Sequence, residues 1–473
     1  MQRRTFIRTA SLTTVTLATG QVALGLANTD YPAVRVPVGK RNFRSDAVEK
    51  TILAVKNGIK NPELAWLFEN CFPNTLDTTV DHSQLDGKPD TYVITGDIDA
   101  MWLRDSTAQI WPYLPLMAQD KPLQQLIAGV IARQARCIRF DPYANAFYKE
   151  QTTTGEWKND VTDMKPGLHE RKWEIDSLCY PIRLAYYYWK HTGDTTPFDA
   201  NWQEAMRLVV QTFREQQRRN GKGPYKFERR TSWATDGVPL GGYGYPARPN
   251  GLICSMFRPS DDATIYPYLI PSNFFAVTSL RQMTELLTVL KANAALATEA
   301  RTLANEVDAA LKQHAVTTHP RYGKVYAYEV NGYGSYNLMD DANVPSLLAM
   351  PYLGAMPVSD PVYQNTRKML LSEDNPFFFK GKAGEGIGGP HAGIDMIWPL
   401  SIIIRGMTST SPAEIKQCLQ MLQHSNAGTG FMHESFHKDD ASKFTRKWFA
   451  WANTIFGEFV LKTFNERREL LSV

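Results

Sequence analysis

Six segments of this chain have the same design: an aspartate or asparagine opens a short apolar run that carries an aromatic residue or a proline. Successive copies start 71, 86, 79, 54 and 58 residues apart, and each interval is long enough for two helices with their loops. An internal repeat at this spacing predicts an array of six helical hairpins. The copies begin at Asp105, Asp176, Asp262, Asp341, Asp395 and Asn453.

The first residue of each copy is typical of a helix N-cap, because its side-chain oxygen accepts hydrogen bonds from the free N–H groups of the first turn. Proline in or near that turn sacrifices no hydrogen bond. The repeat therefore predicts six helix starts. If all six point to one end of a closed ring, a polar, carboxylate-rich pocket forms where they converge. The expected fold is an all-α barrel of six helical hairpins.

Helical periodicity and two long loops agree with that fold. Apolar residues recur at steps of three and four within 296–311 and 448–459, and Asp120 marks the start of a third helix. The segments 231–251 and 381–393 are rich in Gly, Pro and aromatic residues, and they are too long to be simple connections. Long loops on a rigid scaffold commonly form binding sites, so we expect these two to shape the pocket.

The N-terminal segment 1–27 has the pattern of a twin-arginine export signal. Arg3 and Arg4 precede a short apolar stretch that ends in small residues, with cleavage expected near Ala27. The stretch is short and rich in Thr and Ser for a membrane anchor. We therefore expect residues 28–473 to form one exported catalytic domain, periplasmic or secreted and free of the membrane.

Composition argues against other classes of partner. The formal charge of +4 falls to +1 without the signal, which gives no reason to expect nucleic acid or an anionic membrane as a partner. The five cysteines are odd in number, widely spaced and mostly in apolar surroundings, so we expect buried free thiols. They are Cys71, Cys137, Cys179, Cys254 and Cys418.

The segment "TGDIDAMWLRDST" concentrates Asp97, Trp102, Arg104 and Asp105 in a short stretch. One interpretation is structural: the arginine pairs with a carboxylate and the tryptophan fills the core. The other is a sugar subsite, because a pyranose offers hydroxyls to carboxylates and arginine while its C–H face lies against an aromatic ring. The segment alone leaves both open.

The segment "FRPSDDATIYP" carries the adjacent acids Asp261 and Asp262. In the repeat, Asp262 holds the capping position, which leaves Asp261 free to project into the pocket. The alternative is that both residues only cap and solvate a helix terminus. His391, in the glycine-rich loop "GGPHAG", could bond either a substrate hydroxyl or a backbone carbonyl.

The segment "GTGFMHESFHKDD" contains His433, Glu434 and His437 in the H-E-x-x-H spacing of zinc metallopeptidases. That motif requires a helix whose apolar face extends in both directions, so that both histidines lie on one side. Glycines precede the motif here and charged residues follow it at once. We therefore interpret the segment as a loop leading into a helix that starts before Trp448, with a zinc peptidase as the alternative.

Five ordered motifs together resemble glycoside hydrolase family 125: "TGDIDAMWLRDS", "RPSDDA", "GGPHAG", "MHESF" and "FTRKWFAWANTIFGE". The resemblance implies an (α/α)6 barrel that removes single α-1,6-linked mannose residues from non-reducing ends, with inversion and without metal or other cofactor. Its motifs match Asp261 to the general acid and Glu434 to the general base. The implied partner is a mannose-containing glycan. Competing hypotheses are the zinc peptidase, a non-catalytic glycan-binding barrel and an exo-hydrolase of other specificity.

Inverting hydrolysis requires two carboxyl groups in different protonation states, roughly 6.5 to 9.5 Å apart. Burial against aromatic residues, or the neighbouring charge of Asp262, is expected to raise the pKa of Asp261. Chemistry and position in the repeat then suggest which residues grip the terminal mannose. They are Asp97, Trp102, Arg104, Asp105, Asp176, Asn273 and His391.

Overall fold

The computed structural model describes residues 31–472, so the expected export signal at 1–27 lies outside the described residues. The unit that begins at Ala33 is compact. Within the described chain, no helix is both long and apolar enough to cross a bilayer. All five cysteines are buried and unpaired, as expected from the sequence.

Fourteen helices dominate the described residues. They are α1 (Asp46–Gly58), α2 (Pro62–Cys71), α3 (Asn74–Thr78), α4 (Leu103–Ile110), α5 (Lys121–Phe140), α6 (Ile175–Thr192), α7 (Ala200–Gln216), α8 (Pro239–Gly242), α9 (Ile270–Val289), α10 (Ala294–His314), α11 (Pro361–Leu370), α12 (Pro399–Met407), α13 (Pro412–Ser425) and α14 (Ala450–Glu466). Helix α8 is a single distorted turn, because Leu240 and Gly241 have left-handed backbone angles.

Six inner segments form a closed ring. Helix α4 packs against α6 and α14, α6 packs against α9, and α12 packs against α14. Between α9 and α12 in the chain, the sixth inner segment consists of consecutive turns at 348–354. Tyr180 and Arg183 of α6 bind this part of the chain, since they donate to the carbonyls of Val344 at 2.8 Å and Tyr352 at 3.1 Å. The predicted (α/α)6 barrel is confirmed.

The outer helices begin with side-chain caps, whereas the inner helices do not. In each outer helix an N-cap oxygen accepts from a first-turn N–H; the caps are Ser45, Asn61, Asp120, Asp199, Asn293, Asp360 and Ser411. The N-cap positions of the inner helices are Trp102, Glu174, Leu269, Trp398 and Phe449, without a side-chain cap. Polar side chains near the inner starts are therefore left for other contacts.

The prediction that each repeat copy opens on a helix cap is wrong. Three copies begin inside the first turns of α4, α6 and α14, namely Asp105, Asp176 and Asn453. The other three lie in loops, namely Asp262, Asp341 and Asp395. The repeat marks the inner helices, but its acids bond loops and side chains: Asp341, for example, accepts from Ser260 Oγ at 2.8 Å.

Fifteen short strands lie in the loops between the helices of the described chain, and all their pairings are antiparallel. They form the sheets β1–β2, β3–β4–β5, β6–β9–β10, β7–β8, β11–β12 and β13–β14–β15. The strands are β1 (Val80–Leu85), β2 (Lys88–Val93), β3 (Met101–Trp102), β4 (Ala146–Phe147), β5 (Leu168–Glu170), β6 (Tyr268–Leu269), β7 (Val316–His319), β8 (Gly323–Tyr326), β9 (Glu329–Val330), β10 (Tyr336–Asn337), β11 (Phe378–Lys380), β12 (Glu385–Ile387), β13 (Met396–Ile397), β14 (Ser435–His437) and β15 (Asp440–Thr445).

Two glycines allow close packing around α14. A Cβ at Gly406 of α12 would lie 2.3 Å from the ring of Phe459 in α14. A Cβ at Gly457 of α14 would lie 2.7 Å from Phe72. Side chains at either position would force α14 away from its neighbours, because cores of native density do not accept added methyl groups without strain.

Candidate active site

A buried arginine, Arg104 at the start of α4, is the centre of a carboxyl cluster. Its Nη1 donates to Glu174 Oε2 at 2.6 Å and to Asp176 Oδ2 at 3.2 Å, and its Nη2 donates to Asp261 Oδ1 at 3.0 Å. Its Nε lies 3.5 Å from Asp105 Oδ2. One guanidinium therefore lies beside four carboxyl groups. Three predicted site residues, Arg104, Asp105 and Asp176, lie here close to the predicted general acid.

The sheet β3–β4–β5 brings the parts of this cluster together. Trp102 of β3 leads directly into α4 and pairs with Ala146 of β4. Asn145, just before β4, points its Nδ2 at Glu174 Oε1 and at Asp261 Oδ1, each 3.4 Å away. The strand pairing thus places the amide of Asn145 next to both carboxyl groups.

Burial keeps protons in the cluster. It raises the pKa of Asp105 to about 6, with Arg104 opposing and the charge of Asp261 adding to the rise. The pKa of Asp176 is also raised to about 6, again by burial against the effect of Arg104. Burial and the charges of Asp261 and Asp176 raise the pKa of Glu174 well above its usual range, although Arg104 opposes them. At neutral pH the four carboxyl groups therefore hold fewer than four negative charges.

Asp261 behaves differently from the other acids. Its φ of 67° is left-handed, a conformation that costs free energy in a residue other than glycine. Lys172 Nζ donates to its carbonyl oxygen at 2.8 Å, and its side chain is 21% exposed. Burial acts to raise the pKa of Asp261, but Arg104, the hydrogen bond with Glu174 and the charge of Lys172 outweigh burial and hold the pKa well below its usual range.

Two expectations about the adjacent acids need correction. The pKa of Asp261 is lowered rather than raised, because cationic neighbours win over burial. Asp262 caps no helix: it lies in a loop, and α9 begins only at Ile270. Asp262 is buried and accepts from Thr235 Oγ1 at 2.8 Å. Of the two neighbours, only Asp261 is partly exposed.

Glu434 lies immediately before β14 in a second polar group. Thr445 Oγ1 donates to its Oε2 at 2.9 Å, and Arg446 Nη1 lies 3.5 Å from its Oε1. Arg446 also donates through Nε to Asp97 Oδ1 at 2.8 Å and lies over the ring of Phe449. Arg446 thus connects Asp97 with the predicted general base, and the Glu434 side chain is 9% exposed.

The structure contradicts the zinc-helix interpretation. The segment that carries His433, Glu434 and His437 is a loop followed by the strand β14, and no helix places the two rings on one face. The ring of His433 stacks on Phe444 at 3.6 Å and its Nε2 lies 3.2 Å from Thr429 Oγ1. Within residues 31–472, no group of three or more His, Cys, Asp and Glu could hold a metal ion. The following helix α14 starts at Ala450, slightly later than predicted.

His391 lies beside the Asp261–Asp262 pair. Its Nδ1 is 3.4 Å from Asp262 Oδ1. Burial lowers the pKa of His391, but the carboxylates of Asp262, Glu434 and Asp261 outweigh burial and raise the pKa to about 9. The histidine is therefore an imidazolium at neutral pH and neutralises part of the acidic pocket.

Replacing His391 by asparagine is expected to destabilise the protein at about pH 6 and to have little effect at about pH 10. The folded pKa of about 9 is higher than the ordinary value of a histidine. Its contribution to stability is therefore fully present below that ordinary value and is lost as the pH rises through about 9. Urea unfolding of both proteins at the two pH values tests this. A loss equal at both values would contradict the ion pair with Asp262.

Asn273, predicted to bind sugar, has other partners. Its Oδ1 accepts from Ile253 N at 2.8 Å, and its Nδ2 donates to the carbonyls of Ile253 at 3.0 Å and Leu269 at 2.9 Å. The residue is fully buried. These contacts contradict a direct contact with substrate, because the backbone already uses the amide. Asn273 attaches the segment around Ile253 to α9.

Asn453 of α14 has the same arrangement, which allows a matched test. It accepts from Met432 N at 2.8 Å and donates to the carbonyl of Phe449 at 3.0 Å. We expect Asn273→Ala and Asn453→Ala each to lower the free energy of unfolding by about 1–3 kcal/mol, because buried backbone groups lose their partners. Chemical denaturation measures the loss of stability, and steady-state kinetics measures any change in KM. A raised KM with unchanged stability in Asn273→Ala would show that Asn273 contacts the substrate after all.

Trp102 and Asp97 differ in exposure. Trp102 is buried, with its ring 5.0 Å from that of His169. The Asp97 side chain is 39% exposed beside Arg446. The structure therefore brings all predicted site residues except Asn273 into one region, although Trp102 offers little free surface.

Sequence reasoning missed Glu174, Asn145, Lys172 and Arg446. Glu174 stands two positions before the repeat residue Asp176, and Arg446 lies within the motif "FTRKW", so both had a local signal. Asn145 and Lys172 had none, since only the pairing of β3, β4 and β5 brings them to the cluster.

Comparison with known proteins agrees with this geometry. Residues 61–461 match the family model described as metal-independent α-mannosidase, glycoside hydrolase family 125. The chain is 44% identical over 467 residues to the meiotically up-regulated gene 157 protein of Schizosaccharomyces pombe, covering 93% of this chain and 92% of that protein.

Solved structures show the same relationship. A metal-independent α-mannosidase of Streptococcus pneumoniae, in a non-productive complex with α-1,6-mannobiose, is 42% identical with a TM-score of 0.87, covering 90% of this chain and 100% of that chain. A bacterial glucoamylase complexed with acarbose shares 12% identity at a TM-score of 0.54, covering 91% of this chain and 58% of its own. The second likeness concerns the fold alone.

Proposed function

Because the chain belongs to the metal-independent α-mannosidases of glycoside hydrolase family 125, we propose that it releases terminal α-1,6-linked mannose from glycans with inversion at the anomeric carbon. The linkage is suggested by the mannobiose bound to the Streptococcus pneumoniae relative. Inversion is what the resemblance of the chain to family 125 implies. The chain is thus a glycoside hydrolase, and the linkage and stereochemistry are the parts to be tested.

One observation carries the mechanism: two acids of the pocket keep some exposure and have different cationic partners. Asp261 is bound by Arg104 and is 21% exposed, whereas Glu434 lies beside Arg446 and is 9% exposed. The side chains of Glu174 and Asp176 are fully buried. We therefore assign Asp261 and Glu434, rather than Glu174 and Asp176, as the acid and the base, and leave the more exposed Asp97 as a sugar contact.

The proposed reaction needs no covalent intermediate. Asp261 protonates the departing glycosidic oxygen, while Glu434 removes a proton from a water that attacks the anomeric carbon on the opposite face. Arg446, whose Nη1 lies 3.5 Å from Glu434 Oε1, helps to hold this carboxyl group in position. The product is β-mannose, and each carboxyl group returns to its starting state by exchange with solvent.

The terminal mannose is proposed to lie against the remaining predicted residues. Arginine and carboxylate side chains suit the hydroxyls of a pyranose. The proposed contacts are Asp97, Trp102, Arg104, Asp105 and His391. Asp176, also predicted to bind the sugar, is fully buried and bonded to Arg104, so it positions that arginine instead.

The test is a proton NMR time course of the chelator-treated mature protein with α-1,6-mannobiose. The proposal expects β-mannose to appear first and α-mannose to follow by mutarotation. α-1,2- and α-1,3-linked mannobioses serve as controls for linkage. Early α-mannose would contradict inversion, and binding without hydrolysis would favour the non-catalytic alternative.

We also propose export by the twin-arginine route, with the mature chain of residues 28–473 periplasmic or secreted. Support comes from the paired arginines and the apolar stretch within 1–27. Fractionation of a bacterial host would compare the natural chain with an Arg3→Lys/Arg4→Lys variant. Accumulation of the variant in the cytoplasm is expected, and equal export of both would contradict this route.

A further inference from the structure

Glu174 shares two hydrogen-bond donors, Arg104 and Asn145, with the proposed general acid, and its side chain is fully buried. Its Oε2 accepts from Arg104 Nη1 at 2.6 Å and from Ser177 Oγ at 2.9 Å. Its Oε1 and Asp261 Oδ1 are both 3.4 Å from the same Asn145 nitrogen. The same guanidinium also binds both groups, since Arg104 donates to Asp261 Oδ1 at 3.0 Å. With its other oxygen occupied by donors, Glu174 turns Oε1 towards Asp261.

Two carboxyl groups gathered on the same guanidinium and the same amide repel each other when both are ionised, so we take the pair to bind one proton. Burial decides where the proton rests. Both groups bind Arg104, but the fully buried Glu174 has no water to stabilise its charge, whereas the partly exposed Asp261 has water and the nearby charge of Lys172. The proton therefore rests on Glu174 before the reaction.

We propose that Glu174 is a positioning residue that holds the proton Asp261 delivers to the leaving oxygen, acting through Asp261 without touching the sugar. The proposal rests on the proposed role of Asp261 as general acid. It explains how a carboxyl group with such cationic neighbours can act as an acid at neutral pH: the proton is stored one hydrogen bond away.

Protons and charges balance in this step. The proton moves from Glu174 to Asp261 and then to the glycosidic oxygen as its bond to the anomeric carbon breaks. The attacking water forms the new bond to carbon and gives one proton to Glu434. Arg104, which donates to Glu174 and Asp261 through different nitrogens, stabilises the two charges left on the pair. Glu434 then releases its proton to solvent, and the pair takes one up.

The charged groups around the pair come from every neighbouring element. Positive charges disfavour protonation of the pair and carboxylates favour it, so all of them affect the pH at which the pair loses its proton. They are Arg104, Asp105, His169, Glu170, Lys172, Asp176 and His391.

The test compares Glu174→Gln with the natural enzyme on two substrates over a range of pH. Glutamine keeps a hydrogen bond to Asp261 but cannot give up a proton, so Asp261 must be protonated alone. We expect at least about a 10-fold loss of kcat on α-1,6-mannobiose at pH 7, reduced as the pH falls. On 2,4-dinitrophenyl α-mannoside, whose leaving group needs no proton, the loss should be far smaller.

Two further variants separate proton storage from structure. Glu174→Asp keeps a titratable group, so its pH profile on mannobiose should resemble the natural one even if its rate is lower. Ser177→Ala removes only the 2.9 Å hydrogen bond to Glu174 and should leave the profile unchanged. Equal losses on both substrates at every pH, or no loss in Glu174→Gln, would overturn the proposal.

The natural enzyme provides a test that does not depend on the folding of a variant. If the pair stores the proton, kcat/KM on mannobiose stays high to neutral pH, and its decline at higher pH is absent on the dinitrophenyl substrate. A decline on mannobiose that begins below about pH 4, the ordinary range of an aspartate, would overturn the inference. Full activity of Asp261→Asn on mannobiose would contradict the role of Asp261 as general acid, whereas no hydrolysis of mannobiose by the natural enzyme would contradict the proposed function itself.

Discussion

Replacing Glu434 by glutamine is expected to lower kcat on α-1,6-mannobiose by about 10²- to 10⁴-fold, the contribution typical of a general base. The amide keeps the size of the side chain and a hydrogen bond to Thr445 but cannot remove a proton from water. Because the sugar contacts are untouched, KM should change little. Steady-state kinetics with thermal unfolding of both proteins measures the effect and excludes misfolding.

Azide provides a control for this variant. An anion that needs no deprotonation can replace the water, so added azide should restore turnover of an activated aryl mannoside and give a β-mannosyl azide. Thr445→Val, which removes only the 2.9 Å hydrogen bond to Glu434, should cost much less than Glu434→Gln. Natural activity in Glu434→Gln would contradict the role of Glu434 as general base. An α-azide product would contradict inversion.

The architecture was predictable because a repeated fold repeats its sequence. Each inner helix begins near the same pocket, so similar side chains recur near Asp105, Asp176 and Asn453. The interpretation of these residues as caps was wrong, because an Asp in a first turn can bond other parts of the pocket as readily as its own backbone. Helix existence followed from periodicity, whereas helix starts depended on tertiary contacts.

The candidate site was predictable where one short segment carries several chemical groups. Trp102, Arg104 and Asp105 are neighbours in sequence, so any fold of the chain keeps them close together. Asn273 shows the limit of that reasoning. An asparagine at a helix start can serve a substrate or the backbone, and only the position of Ile253 decides between them.

The protonation of the acids could not be predicted from sequence. Burial alone would raise the pKa of Asp261, but Arg104 and Lys172 approach it from 157 and 89 residues away in the chain. Glu174 precedes α6, at another point of the sequence. Since opposing effects of this size decide the direction of the shift, the direction appears only when all the distances are known.

Asp261→Asn should produce the second large effect, and the effect should depend on the leaving group. On α-1,6-mannobiose, whose leaving sugar alkoxide requires protonation, kcat is expected to fall by about 10²- to 10⁴-fold. On 2,4-dinitrophenyl α-mannoside the fall should be less than about 10-fold, because this phenolate leaves without a proton. Kinetics on both substrates with one protein preparation makes folding an internal control.

Asp262→Asn is the matched control, since it makes the same change one residue away. Asp262 is buried and bonded to Thr235 and His391, so its amide should disturb the position of the loop and lower the rates on both substrates alike. If the loss of rate depended on the leaving group in Asp262→Asn but not in Asp261→Asn, Asp262 rather than Asp261 would be the general acid. If each variant loses activity equally on both substrates, neither aspartate is the general acid, and the proposal that Glu174 stores its proton has no basis.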